Sequence, residues 1–304
     1  MVDLEIGKLL ATIEADGRQG ILVEITAALG STPRGVDALM LVTSDAVAGT
    51  IGGGHLEFHA IDVARSMIAE GKEGWLSEGR DGAGPVSQTM DLPLGPTMGQ
   101  CCGGHVTLRF EPVTARLAAW LGDREAKLLD DRPPVLVFGL GHTGRALASM
   151  LSLLPFAVTL VDDRAEMLAG LPDNCRVRHL EDPADAIADA PAGAAYIILT
   201  HSHALDYRLT EAALERRDAA YVGMIGSKTK RKRFESQFLR NSGTLAMLGE
   251  LTCPIGGADV DDKRPEIIAS LTAAELVRCF AQRAARLQRP AWASAKAGIA
   301  TTTG

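Results

Sequence analysis

Residues 134–166 read Pro134-Val-Leu-Val-Phe-Gly-Leu-Gly-His-Thr-Gly-Arg-Ala-Leu-Ala-Ser-Met-Leu-Ser-Leu-Leu-Pro-Phe-Ala-Val-Thr-Leu-Val-Asp-Asp-Arg-Ala-Glu166. Val135 to Phe138 is a short apolar run, the pattern of a strand buried on both faces. Gly139, Gly141 and Gly144 follow at G-x-G-x-x-G spacing, and apolar residues then recur at Ala146, Leu147, Met150, Leu151 and Leu154, one face of a helix. Ala157 to Val161 predicts a second buried strand, closed by Asp162 and Asp163. Glycines so spaced permit a tight turn and let backbone N–H groups approach a pyrophosphate at the helix N-terminus. The acid after the second strand can accept a ribose hydroxyl. The stretch predicts a Rossmann-type unit with Gly139, Gly141, Gly144 and Asp162 as ligand-contacting positions. Whether it holds a dinucleotide is a separate question, because folds outlive their ligands.

Downstream, strands at 176–180, 195–200 and 219–225 alternate with helices at about 183–190 and 206–217, which predicts a parallel, doubly wound sheet. Gly226-Ser-Lys-Thr-Lys-Arg-Lys-Arg233 opens a further helix carrying Lys228, Lys230, Arg231, Lys232 and Arg233. That cluster reads either as a solvated face or as an anion site near Gly226 and Ser227. Glu266–Leu287 is a long amphipathic pattern, and 291–304 is a small, polar tail. Thr200-His-Ser-His-Ala-Leu-Asp206 follows a predicted strand, where ligands of open α/β sheets gather. It approaches the H-x-H-x-D-H metal motif of metallo-β-lactamase-like hydrolases. Asp206 falls one position late, however, and Tyr207 stands where the third histidine would be, so His201 and His203 read as structural or ligand-contacting residues.

Upstream, residues 1–19 predict a helix, 21–28 a strand, Gly30-Ser-Thr-Pro-Arg-Gly35 a turn and 37–43 a second strand. Gly52, Gly53 and Gly54, followed by His55, open another helix. Such a run exposes backbone donors to an anionic ligand, or simply supplies positive φ at a sharp turn. Residues 71–100 read as an irregular excursion containing a strand at 89–94, and Val106–Phe110 is an alternating strand. Between them lies Gly99-Gln-Cys-Cys-Gly-Gly-His105, a glycine-framed loop with adjacent cysteines and no C-x₂-C zinc spacing. A helix over 115–132 ends in the linker Asp130-Asp-Arg-Pro-Pro134. The expected organisation is an N-terminal domain at 1–115, a helix and linker at 116–132, a Rossmann-like domain at 133–290 and a tail at 291–304. The fold class is α/β, a C-terminal Rossmann-like doubly wound sheet with a smaller N-terminal α+β domain.

Bulk properties narrow the function classes. The 304 residues match two domains at about 150 residues each. A net charge of −7 argues against nucleic acid as the main partner. The longest uncharged apolar stretch, Ala146–Val161, is broken by Pro155 and too short to span a bilayer. No charged and apolar leader opens the chain, and five cysteines suggest reduced thiols, so the expected location is the cytoplasm.

Seven motifs occur in an order that resembles the XdhC/CoxI family. They are Gly30-Ser-Thr-Pro-Arg34, Gly49-Thr-Ile-Gly-Gly-Gly-His-Leu-Glu57, Cys102-Gly-Gly104, Phe138-Gly-Leu-Gly-His-Thr-Gly-Arg145, Val161-Asp-Asp-Arg164, Thr200-His-Ser-His-Ala-Leu-Asp206 and Gly223-Met-Ile-Gly-Ser-Lys228. The resemblance runs from about residue 8 to about 280. It implies a cytoplasmic maturation chaperone rather than a turnover enzyme. Such a protein binds the molybdenum cofactor (molybdopterin) as cargo, supports exchange of an oxo ligand for sulfide, and delivers the product to apo xanthine dehydrogenase. A cysteine desulfurase partner would supply the sulfur. Two departures stand out: His55 replaces a cysteine found in many CoxI-type relatives, and Cys253-Pro-Ile-Gly-Gly-Ala-Asp-Val-Asp-Asp262 only loosely follows the family's pattern there.

The chemistry fits that implication. Glycine-rich helix starts suit the cofactor's phosphate, and a soft thiolate suits its molybdenum or a transferable sulfur. The expected cofactor-binding residues are Cys102, Gly103 and Gly104, Gly52, Gly53, Gly54 and His55, and Gly139, Gly141, Gly144 and Asp162. Cys102 matches the family's Cys-Gly-Gly motif, and Cys101 is an extra thiol. The rival reading is an NAD(P)-dependent oxidoreductase using the Rossmann unit. A homodimer is expected from the long helix over 266–287.

Overall fold

The computed structural model describes residues 2–70, 87–95, 103–241, 243–257 and 259–287. The chain divides into two units, Met1–Asp130 and Asp131–Gly304. In the first, the elements run α1 (Val2–Asp16), β1 (Ile21–Leu29), β2 (Leu39–Val42), β3 (Val47–Gly49), α2 (Gly54–Ala69), β4 (Gln88–Pro93), β5 (His105–Pro112) and α3 (Ala115–Asp130). The five strands form one antiparallel sheet in the order β3-β2-β1-β5-β4.

Alternation along these strands sends neighbouring side chains to opposite faces. Val23, Ile25, Val106, Leu108 and Phe110 pack with Leu56, Ala60 and Ala64 of α2. Leu22 and Leu41 face the other way, against Ile6, Leu10 and Ile13 of α1 and Leu117 and Leu121 of α3. Each buried aliphatic side chain here contributes roughly 1.5–3 kcal/mol. The short edge strand β3 was not expected from sequence, since three residues are too few to show a period.

The second unit contains β6 (Pro134–Phe138), α4 (His142–Leu151), β7 (Ala157–Asp162), β8 (Arg176–His179), α5 (Asp185–Ala188), β9 (Ala195–Ile198), α6 (His203–Glu215), β10 (Tyr221–Met224), α7 (Lys228–Asn241), α8 (Leu245–Leu248), β11 (Leu251–Thr252) and α9 (Pro265–Leu287). Its sheet is parallel, in the order β11-β10-β9-β6-β7-β8. The chain therefore builds outward from β6 in one direction, returns to place β9 on the other flank of β6, and builds outward again. That reversal opens a crevice at the carboxyl ends of β6 and β9, the position ligands take in doubly wound sheets.

Both faces of this sheet are covered, which explains the unbroken apolar runs. Leu136, Phe138, Tyr196 and Ile198 pack with Leu209 and Phe234 on one side. Val135, Val137 and Ile197 pack with Leu147, Leu151, Ala269 and Leu276 on the other.

Several expectations need correction. α5 is shorter than 183–190, and α6 begins at His203 rather than 206 because Ser202 caps it by accepting the Leu205 N–H. The basic run is not simply a solvated face. Lys230 is buried against Asp206, and Arg231 donates to the carbonyls of Leu251 and Cys253, tying α7 to β11. On α9, Ala269, Ala273 and Leu276 sit in the same core as Leu147 and Leu151 of α4 and Ile268 and Phe280 pack against it, while Val277 and Leu287 of the same helix are exposed. Among the described residues no helix is long and apolar enough to cross a membrane.

Candidate functional site

In the second unit β6 runs into the glycine turn, and each glycine has its own reason to be there. Gly139 has φ +97°, and a Cβ on it would stand 2.4 Å from the Leu199 carbonyl oxygen. A Cβ on Gly144 would stand 2.0 Å from the carbonyl oxygen of Gly139, so α4 lies directly on the turn. Gly141 differs. It is the N-cap of α4 with φ −67°, a conformation open to any residue, and a Cβ on it would meet nothing within 4 Å. The space beside Gly141, at the positive end of α4, is where a phosphate can approach.

Asp162 is buried at the end of β7 and both of its carboxylate oxygens are taken up within the chain. Oδ2 accepts the Leu140 N–H at 2.7 Å and Arg164 Nη2 at 2.9 Å, while Oδ1 accepts Arg164 Nε at 2.9 Å and the Arg164 N–H at 3.0 Å. Burial opposes ionisation, but these hydrogen bonds outweigh it and hold the carboxyl below its ordinary range. The structure thus places Asp162 as a brace under the glycine turn rather than as a free acceptor awaiting a ribose hydroxyl. The more open acid at this edge is Asp163, whose Oδ1 lies 3.8 Å from Nδ1 of His201.

The β9–α6 connection flanks the same crevice. Thr200 donates both its N–H and its hydroxyl to Asp206 Oδ1, at 2.8 Å each. The other oxygen of Asp206 binds Lys230 Nζ in a buried ion pair. Asp206 is thereby the internal anchor of this loop, not the third ligand of a metal motif, and sequence reading missed the pairing because Lys230 lies on another helix. Among the described residues no three His, Cys, Asp or Glu side chains come together as a metal site.

In the first unit the glycine run has a built-in partner. Gly52, Gly53 and Gly54 have φ of 128°, 75° and 63°, so the turn demands glycine on conformational grounds. Glu57 Oε2 accepts the N–H groups of Ile51 at 3.1 Å and Gly53 at 3.0 Å together with the Thr50 hydroxyl, and Thr50 Oγ1 accepts the Gly52 N–H. The positive φ values carry the sharp-turn reading, and Glu57 holds the Ile51 and Gly53 N–H groups, while Gly53 is open and Gly54 and His55 are exposed at the helix start. A glutamate in the first turn of a glycine-capped helix was the available signal.

Three of the sequence motifs nevertheless converge here. A Cβ on Gly52 would stand 2.6 Å from Pro33 Cγ, and one on Gly104 would stand 2.3 Å from the Ser31 carbonyl oxygen. The turn at residues 30–34 therefore lies against both the 52–54 run and the strand entry at Gly103 and Gly104. Gly103 itself is open, and His55 is exposed at the start of α2. Cys101 and Cys102 lie outside the described residues. The three described thiols are poor nucleophile candidates: Cys175 and Cys253 are buried, and Cys279 donates to the Ala220 carbonyl at 3.1 Å. Burial pushes all three thiols up, Cys253 to about 11.

Comparison with known proteins matches both units. Residues 135–276 match the XdhC Rossmann domain, and residues 13–78 match the XdhC and CoxI family. The uncharacterized protein YqeB of Escherichia coli K12 is 26% identical over 271 residues, covering 88% of this chain; the chain spans only 45% of that curated relative's length. A crystal structure from Bacillus halodurans, named as a xanthine dehydrogenase, superposes with a TM-score of 0.72 at 19% identity, covering 91% of this chain and 96% of the other. That likeness establishes the shared fold.

Proposed function

Because the chain belongs to the XdhC/CoxI family, we propose that it is an accessory protein of xanthine dehydrogenase, a cytoplasmic carrier that binds the molybdenum cofactor and passes it to the apoenzyme. The observation that carries this reading is the pair of family matches, one on each unit, in family order. On this reading the cofactor arrives with an oxo ligand, sulfide takes its place and the oxide leaves as water. A cysteine desulfurase is the proposed sulfur source, its persulfide sulfur being brought to the sulfide level by two electrons from a thiol reductant, and the two protons of the hydrogen sulfide leave with the oxide. A carrier must also release its cargo, and the geometry suits modest contacts: an open helix start at Gly141, an open Gly103, and no closed cage of ligating side chains among the described residues.

The cofactor-binding residues proposed for the first unit are Cys102, Gly103 and Gly104, with His55 at the neighbouring helix start. The packing of Gly104 on the Leu29–Ser31 backbone, and of Pro33 on Gly52, supports Gly103, Gly104 and His55 as one locality; Cys102 is proposed from the family motif. Gly52 and Gly53 shape that locality, their N–H groups being held by Thr50 and Glu57, and Gly54 at the exposed start of α2 is the donor proposed for cargo there. In the second unit the proposed phosphate contacts are the backbone at Gly141 and the first turn of α4. An NAD(P)-dependent oxidoreductase remains the rival on one observation, the dinucleotide-type strand order. The engagement of Asp162 with Leu140 and Arg164 counts against it.

The test is reactivation of apo xanthine dehydrogenase by purified chain loaded with cofactor. Cys102→Ala is expected to fold yet fail to yield active, sulfurated enzyme, and Cys101→Ala to be nearly silent. Full reactivation by Cys102→Ala would remove the thiol role.

A further inference from the structure

The carboxyl ends of β9 and β10 border an open cleft of about 380 Å³ that the carrier reading leaves without a role. Thr200, His201 and His203 form one wall, and Ser227, Thr229 and Arg233 at the start of α7 form the other. The acids nearby are accounted for. Asp206 is paired with Lys230, Glu235 is held by Arg231 at 2.7 Å, and Asp163 lies 3.9 Å from Nε of Arg164, with only Nδ1 of His201 turned to it, at 3.8 Å. Arg233, His203 and Thr229 are exposed, and among the described residues their side chains have no hydrogen bond or ion pair. Ser227 Oγ accepts the Lys230 N–H at 3.4 Å and so marks the start of α7, whose first turn carries no acid.

We propose that this cleft is a binding site for a phosphate monoester. A guanidinium fork, two imidazoles, a hydroxyl and the positive end of a 14-residue helix surround one space, more donors than the two oxygens of a carboxylate can accept. They suit a tetrahedral dianion. The open side of the cleft leaves room for the ester substituent. A Cβ on Gly139 would stand 2.7 Å from Thr200 Cα, so Thr200 separates the cleft from the glycine turn and the substituent has the switch-point crevice beside it. The phosphate can belong to a nucleotide or to a phosphorylated pterin; a nucleotide would bind here beside a cargo held at Gly141, whereas a pterin phosphate seated here would replace the Gly141 contact.

The test uses the full chain labelled at histidine and observed by NMR. Inorganic phosphate should move the ring signals of His201 and His203, assigned by His201→Gln and His203→Gln. Arg233→Ala, an exposed change expected to leave thermal melting unaltered, should weaken phosphate binding about tenfold or more, with Arg233→Lys between. Adenosine 5′-monophosphate and a phosphorylated pterin are then compared; tighter binding of either than of inorganic phosphate supports the site and identifies the source. The proposal is overturned if millimolar phosphate moves neither histidine, if Arg233→Ala binds as well as the wild type, or if neither ester binds more tightly than inorganic phosphate.

Discussion

The glycine run at 52–54 and the glycine turn at 139–144 look alike in sequence, each a cluster of glycines that opens a helix, yet they do different things. In the first, every glycine has positive φ, and Glu57 takes the N–H groups of Ile51 and Gly53. The chain supplies its own anion and closes the turn upon itself. In the second, Asp162 takes only the Leu140 N–H, and Gly141 keeps an ordinary backbone conformation with open space in front of it. A carboxylate braces both turns, and each leaves an open N-cap, Gly53 and Gly141; what differs is that the first demands glycine by positive φ at all three positions and the second only at Gly139. A glycine cluster is therefore evidence of an anion site only where its donors are not already claimed.

The sharpest way to break this contrast is within the second turn itself. Gly144→Ala should destabilise the second unit by about 3 kcal/mol, because the new Cβ meets backbone that cannot move away. Gly141→Ala should stay within about 0.5 kcal/mol of wild type. Equal melting curves for the two variants would refute the assignment of roles. Next in size is Asp162→Asn, expected to cost about 2 kcal/mol at neutral pH through weakened charge-assisted hydrogen bonds. Because the folded carboxyl titrates below its ordinary value of 3.8, its stabilisation is present above that value and lost as pH falls through the lowered one. The stability difference between wild type and Asp162→Asn should thus shrink below about pH 4, and a difference that persists at lower pH would contradict the brace. Smallest is Glu57→Gln, expected to cost about 1 kcal/mol in denaturant titration. Its amide oxygen still accepts one of the three donors, so a larger loss would mean the turn depends on charge.

The Rossmann sheet was legible because its signal is local. β6, the glycine turn, α4 and β7 are contiguous, and strands covered on both faces carry unbroken apolar runs such as Val135–Phe138. What was not legible depends on residues far apart in the chain. Nothing near Asp206 announces Lys230, and nothing near Gly30 announces Gly104. The stripe on α9 was visible, but a stripe does not say how much of it is covered: Ile268 and Phe280 pack on the core shared with α4, and Val277 and Leu287 are left exposed. Asp162 was found at the right place with a different task, because sequence shows a carboxylate and not the donors already bound to it.

The most direct measurement of the account is the small molecule that the chain retains. Wild-type protein purified from cells that make molybdenum cofactor would be denatured and oxidised. The extract would then be assayed by fluorescence for pterin and by absorbance for nicotinamide dinucleotide, with Gly141→Val in parallel. The account predicts pterin in amounts comparable to protein, loss of that pterin in a folded Gly141→Val, and no stoichiometric dinucleotide. A nicotinamide dinucleotide in place of pterin, or pterin retention unchanged by Gly141→Val, would contradict it.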